Sequence, residues 1–410
     1  MANTASGDGM EKAGRLPGLL FLLVMLVGAA SLVYALASGR VALPQAASTR
    51  AFMDGETARE VSEQLAEAPF PKFMAQLERG AGWLLMGNLG PRVREGCSGW
   101  LFLADELAVH PRARQDGRSR LRAAAAVNRR LAAQGVELLL VLVPDKSRSQ
   151  HEQLCGLYRP AAFHGRLRSW AEDASAAGLR VLNLEAVLGH QARQADAPAP
   201  FLRTDTHWSE TGAELAARHI AAAVASLRVE VQPQRQYSME RGRPSRREGD
   251  LVRLAGVDWL PPELQPAPEW ASRVTLREAG PASGMAAGVP QEAPEKQEPE
   301  EDDGADLFGD EGLPNIALIG TSFSRTSSFL PYLDAALETR VTSFARDGGD
   351  FWAAARYYFS SPSFLETPPR VLIWEIPERV LEMPLRGEEC AWLAGLLGPD
   401  AGGALECTVK

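Results

Sequence analysis

Residues 315–330 read NIALIGTSFSRTSSFL. The apolar run Ile316–Ile319 closes on Gly320, and a Thr-Ser pair leads straight into a helix-like stretch. A short unbroken apolar run bounded by glycine predicts a strand buried on both faces. A strand that turns directly into a helix lifts the residue on the turn, Ser322, above the sheet edge. There it faces the backbone N–H groups of the helix N-terminus, a suitable place for a developing oxyanion. Ser324 competes for the same role, but it sits inside the helix start, where its hydroxyl can satisfy the backbone. Taken alone, Ser322 is equally well explained as an N-cap.

The neighbouring chain repeats the pattern. RSRLRAAAAVNRRLAAQG (118–135) has helical apolar spacing stopped by Gly135, and VELLLVLVPDKS (136–147) is a second buried strand with a polar end. RLRSWAEDASAAG (166–178) predicts a helix and LRVLNLEAVL (179–188) the next strand. Beyond Ser322, RVTSFARDGGDFW predicts strand, glycine turn and helix, and VLIWEIPERVL a last buried strand. Helices alternating with buried strands make a parallel sheet covered on both faces. In such sheets, sites form at the carboxyl ends of the strands.

Residues 204–210, TDTHWSE, supply what Ser322 lacks. In extended backbone, residues i and i+2 share a side, so Asp205 can hold an imidazole nitrogen of His207 and fix its tautomer. Ser209 then caps the helix that follows, with Glu210 in its first turn. A strand-end serine with an aspartate–histidine pair on the same rim is the constellation of acyl transfer.

At this point the chain resembles a known family. The ordered set GWLFL, VPDK, DTHW, GTSFS and WEIPER, spread over roughly residues 96–382, is similar to the alginate O-acetyltransferases of the AlgJ/AlgX type, which carry an SGNH-hydrolase-like domain. The resemblance implies Ser322 as nucleophile, His207 as general base and Asp205 as its orienting carboxylate. Ordinary SGNH enzymes place the serine on the first strand and the Asp/His pair near the end. Here the order is Asp, His, Ser, so the resemblance implies a circularly permuted, flavodoxin-like α/β sheet. It also implies oxyanion donors from the Ser322 amide and from Gly348 or Gly349. The asparagine usual after the third strand is replaced by WEIPER (374–379), which leaves Arg379 or another loop as the third donor.

The rest of the chain places this domain. Between Arg15 and Arg40 lie only uncharged residues, mostly apolar, and about 20 residues of helix cross a bilayer core. Residues 16–39 are therefore expected to be a signal anchor, with 1–15 cytoplasmic, although Ala35-Leu36-Ala37 also fits a cleaved signal peptide. A juxtamembrane helical region is expected over 40–95, the catalytic domain over 96–390 and a tail over 391–410. The net charge of −9 comes from an acidic tract: residues 284–312 hold ten acids against Lys296 alone. We read 281–312 as a disordered surface insertion, and the near-neutral remainder excludes a nucleic-acid binder. Four cysteines in an exported chain predict two disulfides; nearest-neighbour pairing gives Cys97–Cys155 and Cys390–Cys407. No metal-ligand spacing occurs, and neither metal nor cofactor is expected.

The expected function is O-acetyl transfer to hydroxyls of an exported polysaccharide, alginate-like or another exopolysaccharide, in the periplasm at the inner membrane. A membrane-bound acyl-transfer partner would supply the acetyl group. The same residues would serve a carbohydrate O-acetyl esterase, and a non-catalytic polysaccharide-binding scaffold is the third possibility. The segment 232–254 is expected to be an arginine-rich loop, with Arg246 and Arg247 available to an anionic polymer unless it is merely solvated. Trp208 either stacks on a sugar ring or belongs to the core. Lys146 reads equally as a strand-end charge or a ligand, and Asp250, in the motif GDL, has no assigned role.

Overall fold

The computed structural model describes residues 15–41, 52–53, 55–232, 234–278 and 314–398. The acidic stretch 281–312 lies outside the described residues, as does Cys407, one end of the second expected disulfide. The chain divides into two units, one of residues 1–90 with 256–264 and one of residues 91–255 with 265–410.

The first unit is helical. Its helix Arg15–Ala37 contains an apolar span, Leu16–Ala37, of 22 residues, long and apolar enough to cross a bilayer. The helices Glu56–Ala66 and Pro69–Met86 follow. The Phe70 amide donates to Ser31 Oγ at 3.2 Å, tying the third helix to the first.

The second unit is built on a five-stranded parallel sheet: β1 (Glu137–Val143), β2 (Arg180–Asn183), β3 (Ile316–Ile319), β4 (Thr342–Ser343) and β5 (Val371–Pro377). Across the sheet the order is β4-β3-β5-β1-β2, with every pairing parallel. If the Ser322 strand, β3, is counted as first and the chain is followed through its end to its beginning, the order becomes 2-1-3-4-5. That is the flavodoxin-like arrangement entered at its fourth strand, as a circular permutation requires.

The central strands β1, β3 and β5 are almost wholly apolar, Glu137 and Glu375 apart, because both faces are covered. Leu138, Leu140, Leu142, Trp374 and Ile376 pack on one side with Val127, Leu131 and Trp170 from the helices Ala113–Ala132 and Arg166–Ala176. Leu139, Val141, Leu318 and Ile373 pack on the other side with Ile220 and Leu333 from the helices Glu210–Ser226 and Phe329–Leu337.

Three local expectations are corrected. In LRVLNLEAVL only Arg180–Asn183 is strand; Asn183 Oδ1 accepts the Glu185 amide and starts a helix, Glu185–Ala192. The turn after Gly320 is a short 3-10 segment, Ser322–Arg325, and the helix proper begins at Phe329. The arginine-rich segment is not a loop. Tyr237–Arg241 pairs antiparallel with Val274–Glu278, and Ser245–Arg247 with Glu269–Ala271, as two small ribbons. Cys97 and Cys155 are bonded, as nearest-neighbour pairing anticipated.

Candidate active site

The serine turn owes its shape to a carboxylate beneath it. Glu375, fully buried in β5, accepts the Thr321 amide at 2.7 Å, the Thr321 hydroxyl at 3.1 and 3.0 Å and the Ser324 hydroxyl at 3.0 Å. Burial pushes the Glu375 carboxyl up, and its bonds to Thr321 and Ser324 pull against that. A side chain at Gly320 would meet Glu375 Oε2 at 2.6 Å, so only glycine lets the strand pass this close. Ser324 therefore anchors the turn rather than competing with Ser322. Neither Glu375 nor this duty of Ser324 was visible in the sequence, because a buried acid inside an apolar strand has no local signature.

Ser322, half-buried on the turn, meets the aspartate–histidine pair. His207 Nε2 lies 2.7 Å from Ser322 Oγ, across 115 positions of chain, and His207 Nδ1 lies 2.6 Å from Asp205 Oδ1. Asp205 also accepts the His207 backbone amide at 3.0 Å, which locks ring and carboxylate into one local unit. With the ring proton on Nδ1, the Nε2 lone pair faces the serine hydroxyl. Burial works against a charged Asp205, but the hydrogen bond and charge of His207, together with Arg247, outweigh it and hold the carboxyl well below the ordinary range. The Phe323 ring edges onto the imidazole, with centroids 5.0 Å apart, and closes its apolar side.

Three motifs meet behind Asp205. Lys146, from the polar end of β1, donates to the carbonyls of Leu101 (2.6 Å), Arg203 (2.7 Å) and Asp205 (3.0 Å). It thus fastens GWLFL and DTHW to VPDK. It is fully buried, and burial presses its ammonium down to about 8 against the pull of Glu106, Asp205, Glu269 and Asp250. From the other side comes GDL. A side chain at Gly249 would stand 1.9 Å from the Thr204 carbonyl, so glycine allows Asp250 to reach the site. Asp250 accepts the Thr206 amide at 2.7 Å and bonds the Thr206 hydroxyl, and its Oδ2 lies 3.4 Å from His207 Nδ1.

The remaining candidates separate. Arg247 is not free for a polymer: its guanidinium bonds Asp205 Oδ2 at 2.9 Å and Ser327 Oγ at 3.2 Å. Trp208 is core, wholly buried against Phe323 and Phe329 with centroids 5.1 and 4.8 Å away, so it cannot stack on a sugar. Arg246 is exposed and lines a groove of about 870 Å³ that reaches Ser324 and also carries Arg273, Arg325 and Arg340. Arg379 lies over the Phe323 ring, 5.5 Å from its centroid, beside the serine turn. The Gly349 amide donates to the Arg346 carbonyl at 3.2 Å, so it is not free for an oxyanion. Asp347, in the same loop, lies 3.5 Å from Arg325 Nε, which ties that loop to the serine turn.

Donor atoms of Asp205, His207 and Asp250 lie within 4.8 Å of one another. Asp205 is already shared between His207 and Arg247, and Asp250 is engaged by Thr206. A guanidinium against the central carboxylate suits a hydrogen-bonded charge network rather than a cation's coordination shell.

Residues 93–378 match the family model described as the SGNH hydrolase-like domain of acetyltransferase AlgX. The chain belongs to that family. Among its relatives, the probable alginate O-acetylase AlgJ of Pseudomonas aeruginosa is 32% identical over 339 residues, 80% of this chain and 81% of that protein. AlgJ of Pseudomonas putida is 31% identical, covering 81% of each chain. The solved O-acetyltransferase domain of Pseudomonas putida AlgJ superposes with a TM-score of 0.59 at 27% identity, covering 75% of this chain and 99% of that one. The structure of Pseudomonas aeruginosa AlgX shares the fold, with a TM-score of 0.51 at 21% identity over 70% of this chain and 62% of that chain.

Proposed function

We propose that this chain is an O-acetyltransferase that acetylates hydroxyls of an alginate-like polysaccharide through an acetyl-serine intermediate. Ser322 is the nucleophile, His207 the general base and Asp205 the group that orients it. The observation that carries this is the continuous chain of short contacts from Asp205 Oδ1 through both ring nitrogens of His207 to Ser322 Oγ. In the first half-reaction Ser322 Oγ bonds the acetyl carbon of an activated donor while its proton passes to His207 Nε2. The donor's leaving group departs with that proton. In the second, an acceptor hydroxyl gives its proton to Nε2 as its oxygen bonds the acetyl carbon, and Ser322 Oγ leaves and takes the proton back. The oxyanion of each tetrahedral stage falls to the Ser322 and Gly348 amides, with Arg379 beside them.

The arginines of the adjoining groove, Arg246, Arg273, Arg325 and Arg340, suit an acceptor that carries carboxylates. The N-terminal apolar helix supports a chain tethered to the inner membrane with its catalytic unit in the periplasm. There a membrane-bound partner passing acetyl groups outward would find the serine at high effective concentration.

The test is to incubate the protein with an acetyl ester and mannuronate oligosaccharides, then follow acetyl gained by sugar against acetate released. Acetylated sugar from the wild type and none from Ser322→Ala supports the proposal. Acetate release that added sugar does not alter counts against transfer.

A further inference from the structure

The imidazole of His207 has two carboxylates at one nitrogen. Asp205 Oδ1 stands 2.6 Å from Nδ1, and Asp250 Oδ2 stands 3.4 Å from the same atom. The nearer carboxylate is partly neutralised by Arg247 at 2.9 Å on its other oxygen. Asp250 and Arg247 come from one short stretch, and Gly249 between them brings it against the Thr204 backbone. The Leu251 amide donates to the Thr204 carbonyl at 3.2 Å and the Asp250 amide to Asp205 Oδ2 at 3.3 Å, so this stretch is seated along the whole DTH segment.

We propose that Asp250 and Arg247 form an opposed positioning pair that sets the charge at the acid end of the site, Asp250 as a second carboxylate on the imidazole and Arg247 as its counterweight. This rests on the proposed roles of Ser322, His207 and Asp205. Neither residue touches the reacting atoms; each acts through His207. When Nε2 takes the serine proton, the ring becomes a cation with Asp205 and Asp250 on one side and Arg247 behind Asp205. The four charges then sum to zero where His207 and Asp205 are buried and Asp250 and Arg247 half-buried, which is the cheapest arrangement there. Asp205 alone, with Arg247 drawing on it, would be a weaker partner for the imidazolium than a lone carboxylate, and Asp250 restores the difference.

The other charged or titratable groups facing the ring are few. Lys146 reaches the Asp205 carbonyl, Glu269 accepts the Thr204 amide at 2.6 Å, Ser322 faces Nε2, and Arg379 lies across the Phe323 ring. Each of these is the same in the Asp250 and Arg247 variants below.

The experiment compares pH–rate profiles for 4-nitrophenyl acetate turnover by the full chain and its Asp250→Asn, Arg247→Gln and double variants, with Ser322→Ala alongside. Asn keeps an oxygen for Thr206 but loses the charge. The acid limb, where the base must lose its proton, moves to lower pH by about one unit in Asp250→Asn and to higher pH in Arg247→Gln. The double variant returns toward the wild-type limb. A residue that only braced the fold would lower the rate without displacing the limb, and would not be rescued by a second lesion. Limbs that superimpose, or that move the same way in both single variants, overturn the pairing. Should Asp250→Asn not fold, Arg247→Gln alone decides by its direction. Ser322→Ala as active as wild type would defeat the proposed site itself, a separate outcome.

Discussion

Glu375 in β5 holds the Thr321 amide at 2.7 Å, so the strand next to the serine strand dictates where the serine turn sits. Glu375→Ala leaves the Thr321 N–H buried without an acceptor and should cost about 1–3 kcal/mol of stability. A turn displaced by an ångström should also cost about a hundredfold in turnover. Glu375→Gln, which keeps one acceptor oxygen, should recover much of both. Thermal unfolding and acetyl transfer measured on the same preparations check this; an active, fully stable Glu375→Ala would show that the turn holds itself.

Lys146 links titration to folding. Its ammonium is depressed to about 8 in the folded chain against an ordinary 10.5. Between those values the unfolded chain binds the extra proton, so this residue makes stability rise with pH, by up to about 1.4 kcal/mol per unit. Below about 8 both states are protonated and the contribution is flat. Denaturant unfolding of wild type and Lys146→Met across that window should differ in slope, with the variant lacking the rise. Parallel curves would mean that Lys146 titrates as if exposed.

Glu378, at the carboxyl end of β5, gathers Arg148 (2.6 Å), Arg159 (3.2 Å) and Arg166 (3.1 Å), and Arg166 also binds Asp145 at 2.5 Å. Burial opposes the charge on Glu378, but the bond to Arg148 and the guanidiniums around it win and hold its carboxyl below the usual value. Glu378→Ala would leave three guanidiniums without their shared partner, at about 3–5 kcal/mol. A midpoint shift of that size in urea, with the serine still reactive in whatever folded protein remains, is the expected result. An unchanged midpoint would show that the arginines find other acceptors.

The central strands were readable because burial on both faces leaves β1, β3 and β5 apolar but for Glu137 and Glu375, and Ser322, Asp205 and His207 could be singled out because strand ends and i, i+2 spacing are local facts. What was hidden is what long-range contact decides. EAVL is as apolar as a strand, yet it turns into helix where the Asn183 side chain accepts the Glu185 amide. The arginine segment has no strand alternation, and it pairs only because residues 269–278 return to meet it. Arg247, expected to be available to an anionic polymer unless merely solvated, proves to be the guanidinium on Asp205, while Glu375 and Glu378 hid inside WEIPER. Buried charges are recognisable only once their partners are known.

The most direct measurement is the mass of the Ser322 peptide after brief exposure to an acetyl donor without acceptor. An added acetyl group on that peptide from wild type, absent from His207→Ala and Ser322→Ala, is the predicted result. Sugar acetylated at the wild-type rate by Ser322→Ala, with no acetyl ever found on the peptide, would contradict an acetyl-serine formed where the imidazole meets the hydroxyl.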